Sequence, residues 1–360
     1  MLSRMDTAAR QIERALRAAA PEELFGALAG TRADKLGTLS HRYRELAHVI
    51  HPDRASDRDR DAATRGLVRV NALRRMAEHK IELRLYGDGR AVGESVVIRT
   101  RRRSYITLGP VIAGDLCDLY PAESDAPDAP RVLLKVARSE EDNDLLDAEA
   151  QTLRALFANA TAAPRFLRLL PELTDSMTME DGRRANVLPL LPDHRSLAEA
   201  RGHVDLRDVV WIGKRLLSVL GFLHARGFVH GAVLPSHLLV HPITHGAVLT
   251  DLCYAVPRGD KIPALSPDHR ALYPGEVLRG EPAEAGTDLF MAAKTLLWLL
   301  PERASATASE QRALRDFLAT CTDERLARRP DDAWALHEDL DRLMTRLLGK
   351  PVYRPLSLPE

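Results

Sequence analysis

Residues 230–240 read HGAVLPSHLLV, and the side chains missing from this stretch say as much as those present. Two imidazoles, His230 and His237, stand seven positions apart, yet no carboxylate falls anywhere between 230 and 240. Ala232, close after the first, can neither accept a proton nor orient a hydroxyl. Three other groups have the chemistry to complement such a segment. Lys135 closes the β-rich run VLLK, and Glu149 follows fourteen positions later in DAEAQTLRAL. A loop and two helical turns span that interval, which would let ammonium and carboxylate pair. Asp251 in LTDLCYA is a carboxylate with apolar neighbours, available to loop amides or to a cation. Near the start, His51, Pro52 and Asp53 form a separate constellation. Pro52 stiffens the turn, so His51 and Asp53 would be displayed at its tip.

The elements that must carry these groups follow from pattern. Met5, Ile12, Leu16 and Ala19 recur at helical spacing, predicting an amphipathic helix within 1–20. A helix-rich, arginine-rich stretch occupies 21–84, and Gly87, Gly89 and Gly93 mark a linker over 85–95. From Val96 the runs VVIRT, YITLG, CDLYPA and RVLLKVA are strand-like. Beyond Pro192, helical patterns dominate at 207–226, 287–300, 309–322 and 331–348. Strands first and helices afterwards predict an α+β unit of two lobes, 96–191 and 192–348. The tail, 349–360, carries three prolines and should be extended.

Fifty-one basic and 51 acidic side chains cancel, which argues against a global field for nucleic acid or membrane surfaces. No apolar run reaches the ~20 residues a membrane helix needs. Cys117, Cys253 and Cys321 lack metal-ligand spacing and read as reduced thiols of a cytoplasmic protein.

The ordered motifs from 96 to 348 resemble the protein-kinase family. HGAVLPSH stands at H-R-D-L-x-x-x-N, with His230 at the His, Gly231 at the Arg, Ala232 at the catalytic Asp and His237 at the metal-holding Asn. The glycine loop aligns with IAGDLCDLY, where only Gly114 survives and Asp115 and Asp118 add negative charge. A phosphate cradle and a plain β-hairpin without ligand both remain open there. The resemblance implies that Lys135 and Glu149 form the ATP-site ion pair and that Asp251 sits at the D-F-G magnesium position. A neutral imidazole at 237 would suit magnesium poorly. It also implies structural roles for Glu276 in YPGE, for Asp288, and for Arg329 of the Arg-Pro pair, including a Glu276–Arg329 contact. ANVLPLL, 185–191, resembles the hinge between lobes. Ser266 is the one serine from Asp251 to Glu276, and Gly231 replaces the arginine that would pair with a phosphorylated loop.

RYRELAHVIHPDR, 42–54, resembles helix II and the loop of a J domain, the DnaJ-type module. Tyr43, Leu46 and Ala47 face a core on one side of His51-Pro52-Asp53; after ASDRDRDA, Leu67, Val70, Leu73 and Met76 face it on the other. LFGALAG, 24–30, matches the family's first helix only loosely. A helical hairpin with no partner is the plainer alternative. The resemblance implies that His51, Pro52 and Asp53, with Arg42 and Arg44, contact a DnaK-type chaperone. The combined expectation is an all-helical J-like domain followed by a pseudokinase that binds a protein partner, with ATP and magnesium held weakly. The competing expectation is an atypical ATP-dependent kinase or nucleotidyltransferase.

Overall fold

The computed structural model describes residues 4–18, 20–55, 59–82, 86–87, 97–99, 103–108, 111–124, 130–158, 163–300 and 308–358. They form two compact units, one drawn from 1–112 and 120–132, the other from 113–119 and 133–359.

The first unit opens with helices α1 (Arg4–Arg17), α2 (Pro21–Phe25), α3 (Arg32–Val49) and α4 (Arg60–Glu82). α2 is short for identifiable reasons. Pro21 starts it where a missing amide costs nothing, and Gly26, at φ 65°, ends it. LFGALAG therefore leaves the helix after Phe25. α3 begins at a capping box between Thr31 and Asp34. Leu24, Phe25, Leu39, Ile50, Val70, Leu73 and Met76 make the shared core, with Tyr43, Leu46 and Leu67 at its margin. Tyr43 keeps its hydroxyl satisfied by donating to Asn71 Oδ1 at 2.8 Å.

α1 departs from the expected stripe. Ile12, Ala15 and Ala18 are buried, whereas Leu16 is 41% exposed. The small residues let α1 approach Gly66 of α4, where an added Cβ would sit 3.5 Å from Ile12 Cγ2. A leucine in that seam would hold the helices apart. The Met5 side chain and Ala19 lie outside the described residues, as do 56–58 of the polar stretch. Of the expected linker only Tyr86 and Gly87 are described, and Tyr86 donates its hydroxyl to Gly26 O at 2.8 Å.

Strands β1 (Val97–Arg99), β2 (Ser104–Thr107), β3 (Ile112–Ala113) and β4 (Cys117–Ser124) follow. β1 pairs antiparallel with β2, Ile98 opposite Tyr105, and β2 with the end of β4, Tyr105 opposite Ser124. Within this unit, α4 meets the end of β4 through alternating charges. Arg131 lies 3.0 Å from Glu123 Oε1 and 3.6 Å from Glu78 Oε2, and Arg74 reaches Glu78 at 2.9 Å.

In the second unit the start of β4 continues a sheet with β5 (Val132–Ala137), β6 (Asp175–Thr178) and β7 (Arg184–Pro189), β7 lying between β5 and β6. α5 (Asn143–Phe157) packs against it. Short elements follow: α6 (Pro164–Leu167), β8 (Arg195–Ser196) and α7 (Leu197–Ala200). The long α8 (Leu206–Ala225) precedes β9 (Phe228–Val229), β10 (Leu238–Val240), β11 (Ala247–Leu249) and β12 (Val256–Pro257). α9 (Gly275–Leu278), α10 (Ala285–Leu299), α11 (Ala308–Ala319) and α12 (Ala333–Leu348) complete it. α10 is apolar nearly all round and is buried from Ala285 to Ala293, as a central helix must be. Residues 351–358 have no regular structure, but Leu356 is buried and its amide donates to Pro242 O at 2.9 Å.

Three buried charged residues organise the helical part. Asp288 accepts from the amides of His230 at 2.8 Å and Gly231 at 2.9 Å and from His224 Nε2 at 2.9 Å. Glu276 and Arg329 make a bidentate pair, Nη1 to Oε1 at 2.6 Å and Nη2 to Oε2 at 3.0 Å. Thr287 also donates to Glu276, and the guanidinium lies 4.6 Å above the Phe290 ring centre. Among the described residues no helix is long and apolar enough to cross a membrane, and all three cysteines are buried and unpaired.

Two substitutions test this packing. Arg329→Ala leaves Glu276 buried without its counter-charge and should cost about 3–5 kcal/mol in urea unfolding. Gly221→Ala places a Cβ 2.5 Å from the Trp334 ring, where α8 meets α12. Overpacking there should cost about 1–3 kcal/mol by the same measurement.

Candidate functional site

The buried centre of the second unit is the Lys135 ammonium. β5 delivers it, with its side chain 4% exposed, to within 2.9 Å of Glu149 Oε1 and 2.7 Å of Asp251 Oδ1. Glu149 projects from the second turn of α5, and Asn186 on β7 fixes its other oxygen at 2.9 Å while donating to Leu146 O. Asp251 adopts the left-handed conformation, φ 63° and ψ 44°, and Thr250 Oγ1 donates to its Oδ2 at 2.9 Å. Burial opposes charge on both partners, but each prevails. Asp251 and Glu149 hold Lys135 well above its ordinary value; Lys135 and His237 hold Asp251 well below the usual carboxylate range. The adjoining Cys253 thiol is pushed strongly up by burial and stays neutral.

The 230–240 segment forms the wall of this cluster. Ala232 is completely buried. His230 Nε2 donates to Thr250 O at 2.8 Å and its Nδ1 accepts from the Ala232 amide at 3.3 Å, the pattern of a neutral ring. Burial pushes His230 down to about 4. His237 is the opposite case. Its Nδ1 lies 2.9 Å from Ala232 O and its Nε2 3.1 Å from Asp115 Oδ2. Both are acceptors only, so both nitrogens carry hydrogen and the ring is an imidazolium. Burial works against that charge, but Asp251 and Asp115 raise the imidazole above its usual value. Gly231 has φ 79°, and a Cβ there would come 2.9 Å from Tyr254 O, so the arginine of the family pattern has no room.

Over this cluster lies the turn 113–117. Gly114 N donates to Cys117 O at 3.0 Å, and a Cβ on Gly114 would meet that oxygen at 2.9 Å. The surviving glycine therefore serves the turn itself. Asp115 reaches inward to His237 and accepts from the Tyr254 hydroxyl at 3.3 Å. The hydrogen bond from His237 holds Asp115 below the usual carboxylate range against burial and the nearby Asp251. Arg138 secures the turn by donating to Gly114 O at 2.6 Å and Asp115 O at 3.2 Å, with Asp118 at 3.4 Å. Ser266 is completely buried, its amide donating to the Tyr273 hydroxyl.

This donor set does not fit the magnesium that the sequence resemblance implied. Asp251 has one oxygen engaged by Lys135 and the other by Thr250. His237 has no free lone pair, and magnesium requires near-octahedral oxygen ligands. Among the described residues no three His, Cys, Asp or Glu side chains gather to hold a metal ion.

Sequence reasoning paired Lys135 with Glu149 and named Asp251 and His237 separately; the structure brings all four together. Asn186, Arg138 and Tyr254 were missed. Asp115 was noted only as negative charge; its partner lies 122 residues away, beyond any local pattern.

The second candidate site stands in the first unit. A single 3-10 turn, Pro52–Arg54, leads the chain out of α3 toward α4. The side chains of His51 and Asp53 are 47% and 87% exposed. His51 Nδ1 accepts from the Asp53 amide at 3.3 Å, fixing the turn, and Arg54 Nη1 meets His48 Nε2 at 2.5 Å. Arg42 is half-buried and donates to the carbonyls of Phe25 and Ala27, the latter at 2.9 Å. Arg44 is exposed, with only a local contact to Ser40 O at 3.2 Å.

No protein-family model matches the chain, and no curated protein does. Among solved structures it is similar to the structure of vaccinia related kinase 3, at 19% identity and a TM-score of 0.57. The likeness covers 75% of this chain and 96% of that one. At such identity the likeness is one of fold: a curled antiparallel sheet joined to a helical part, with a protein-kinase-like architecture.

Proposed function

We propose that this chain is a J-domain-type adaptor whose kinase-like part binds a protein without phosphorylating it. The observation that carries the second half is Ala232. It occupies the place of the catalytic base, is wholly buried, and offers only its carbonyl, which His237 already uses. His230 beside it is neutral, and its one acceptor nitrogen is taken by the Ala232 amide. Supporting the first half, His51 and Asp53 are displayed on a fixed turn between two helices that share one core. In this reading the turn meets a DnaK-type chaperone, with Arg44 the exposed basic contact and Arg42 holding the helix in place. The chaperone is thereby recruited to whatever protein the kinase-like part holds.

A second reading, an atypical kinase or nucleotidyltransferase, draws support from the intact Lys135–Glu149 pair at 2.9 Å. Loss of a general base costs typically ~10²–10⁴ in rate, so a residual transferase is chemically conceivable. Purified protein incubated with labelled ATP and generic protein substrates should transfer no label above background. Robust transfer that vanishes in Asp251→Ala would establish the enzyme reading instead.

The chaperone reading has its own test. Single-turnover ATPase assays with DnaK-type chaperones of the host should show stimulation by the full chain, abolished in His51→Gln with no loss of folding. An exposed loop side chain contributes little to stability. Stimulation should fall with added salt, since exposed charges are screened within ~8–10 Å near physiological ionic strength. Equal inertness of wild type and His51→Gln across those chaperones would make the turn purely structural.

A further inference from the structure

α12 ends where Gly349 takes φ 77° and returns its amide to Thr345 O at 3.0 Å. The chain beyond it runs beside the seam of α8 and α12 and is pinned there by polar contacts. Arg207 donates to Leu348 O at 2.7 Å, and the Arg354 guanidinium pairs with Asp205 and Asp208 at the start of α8. His245 Nε2 donates to Arg354 O at 2.7 Å, and the Tyr353 hydroxyl donates to Ile243 O. These contacts do not draw the tail flat onto the helices, and a cavity of about 530 Å³ lies between them. Small-molecule sites typically measure roughly 300–1,000 Å³ and often lie between helices.

The cavity has an apolar lining from Val210, Trp211, Met344 and Leu348, with Val352 and Tyr353, both largely exposed, at its rim. His245 gathers the rings. It and Asp251 are the two non-glycine residues at positive φ among the described residues, here 53°, a conformation uncommon for a residue with a Cβ. The imidazole stacks on Trp211, ring centres 4.2 Å apart and planes at 5°, with the Tyr353 ring centre at 5.0 Å. Strain of this kind persists where the surroundings enforce it, and it concentrates at functional sites. Aromatic side chains beside the Met344 thioether suit a flat aromatic body, which packs offset or edge-on against rings and takes sulfur at its edge.

Of the charged side chains on the lining, Arg207, Lys214, Arg215 and Arg354 outnumber Asp208 and Asp341. Asp205, which shares Arg354 from outside the lining, does not close the difference. Lys214 is committed to Asp341, whereas Arg215 has no acceptor among the described residues. His337, half-buried on α12, has none either; burial and the nearby Lys214 hold it below its ordinary value. Glu338, which also acts on His337, lies 3.8 Å from Arg342. Donors without acceptors beside an apolar cavity suit an anion with an apolar body, and a guanidinium takes a carboxylate in two parallel bonds. We propose that this cavity binds a small aromatic monocarboxylate, its ring among Trp211, Met344 and Tyr353 and its carboxylate on Arg215 and His337. The inference goes beyond the adaptor reading, since the site shares no residue with the Lys135 cluster or with the His51-Pro52-Asp53 turn.

The test is calorimetric titration of the full chain with 2-naphthoate. Two comparison compounds accompany it: 2-naphthalenemethanol, the same ring without charge, and octanoate, the same charge without a ring. Naphthoate should bind saturably at one site. The alcohol should bind about ten-fold more weakly or worse, the usual effect of losing a charge-assisted hydrogen bond, and octanoate should bind more weakly too. Arg215→Gln, at an exposed position, should weaken naphthoate about ten-fold and leave the alcohol unchanged. Thr345→Trp, exposed but on the lining, should fill the cavity and block both ring compounds. Val352→Trp fills it from the tail as a second variant, and circular dichroism checks that each variant is folded. No saturable naphthoate binding would overturn the site, as would an affinity unchanged in both filling variants. An affinity unchanged in Arg215→Gln, or an alcohol bound as tightly as naphthoate, would overturn the carboxylate contact. Octanoate bound as tightly as naphthoate would overturn the aromatic class.

Discussion

A lysine ammonium can be buried in a protein only if carboxylates surround it, and Lys135 shows how far that single requirement reaches. Desolvation of a charge costs several kcal/mol even after relaxation, so Glu149 must come from α5 and Asp251 from the segment after β11. Glu149 in turn is held by Asn186 on β7. One ammonium therefore ties a strand, a helix, a second strand and a loop into one arrangement. It needs no ligand to do so. The Lys–Glu pair thus contributes to the fold whether or not chemistry follows.

The absence of a carboxylate at position 232 also has a consequence for charge. A carboxylate there would have neutralised a neighbouring cation, whereas alanine leaves only its carbonyl. His237 adds a positive ring that must find an anion. Asp115 provides it from the opposite side of the cleft. Residues 115, 232 and 237 are thus joined in one hydrogen-bonded set.

Much of this architecture could be read from the chain, and the reasons for the rest are physical. The protein-kinase-like fold was legible because its signals come in fixed order, from the lysine-ended strand through LTDLCYA to the Arg-Pro pair. The helices α8, α10 and α12 announced themselves by period and lie within a few residues of the expected bounds. α1 was misread in its buried face, because hydrophobicity favours Leu16 while close helix approach selects Ala15 and Ala18. The Asp115–His237 contact was invisible, since neither residue changes any local pattern and only the fold brings them together. The resemblance implied a partner contact for Arg42; in the structure its guanidinium donates to two backbone carbonyls. Sequence shows that a charge exists and leaves open which partner uses it.

That distinction bears on the first unit as well. Its helices share an apolar core, but α4 also meets the end of β4 through Glu78, Arg131 and Glu123. Isolated exposed pairs contribute little, about 0–1 kcal/mol each. Here the side chains of Glu78, Glu123 and Arg131 are each about one-quarter exposed and share partners, so movement of one would disturb the next. A helical module joined only by a flexible linker would have no need of such matching. The alternating charges instead fix α4 to the end of β4 within the first unit.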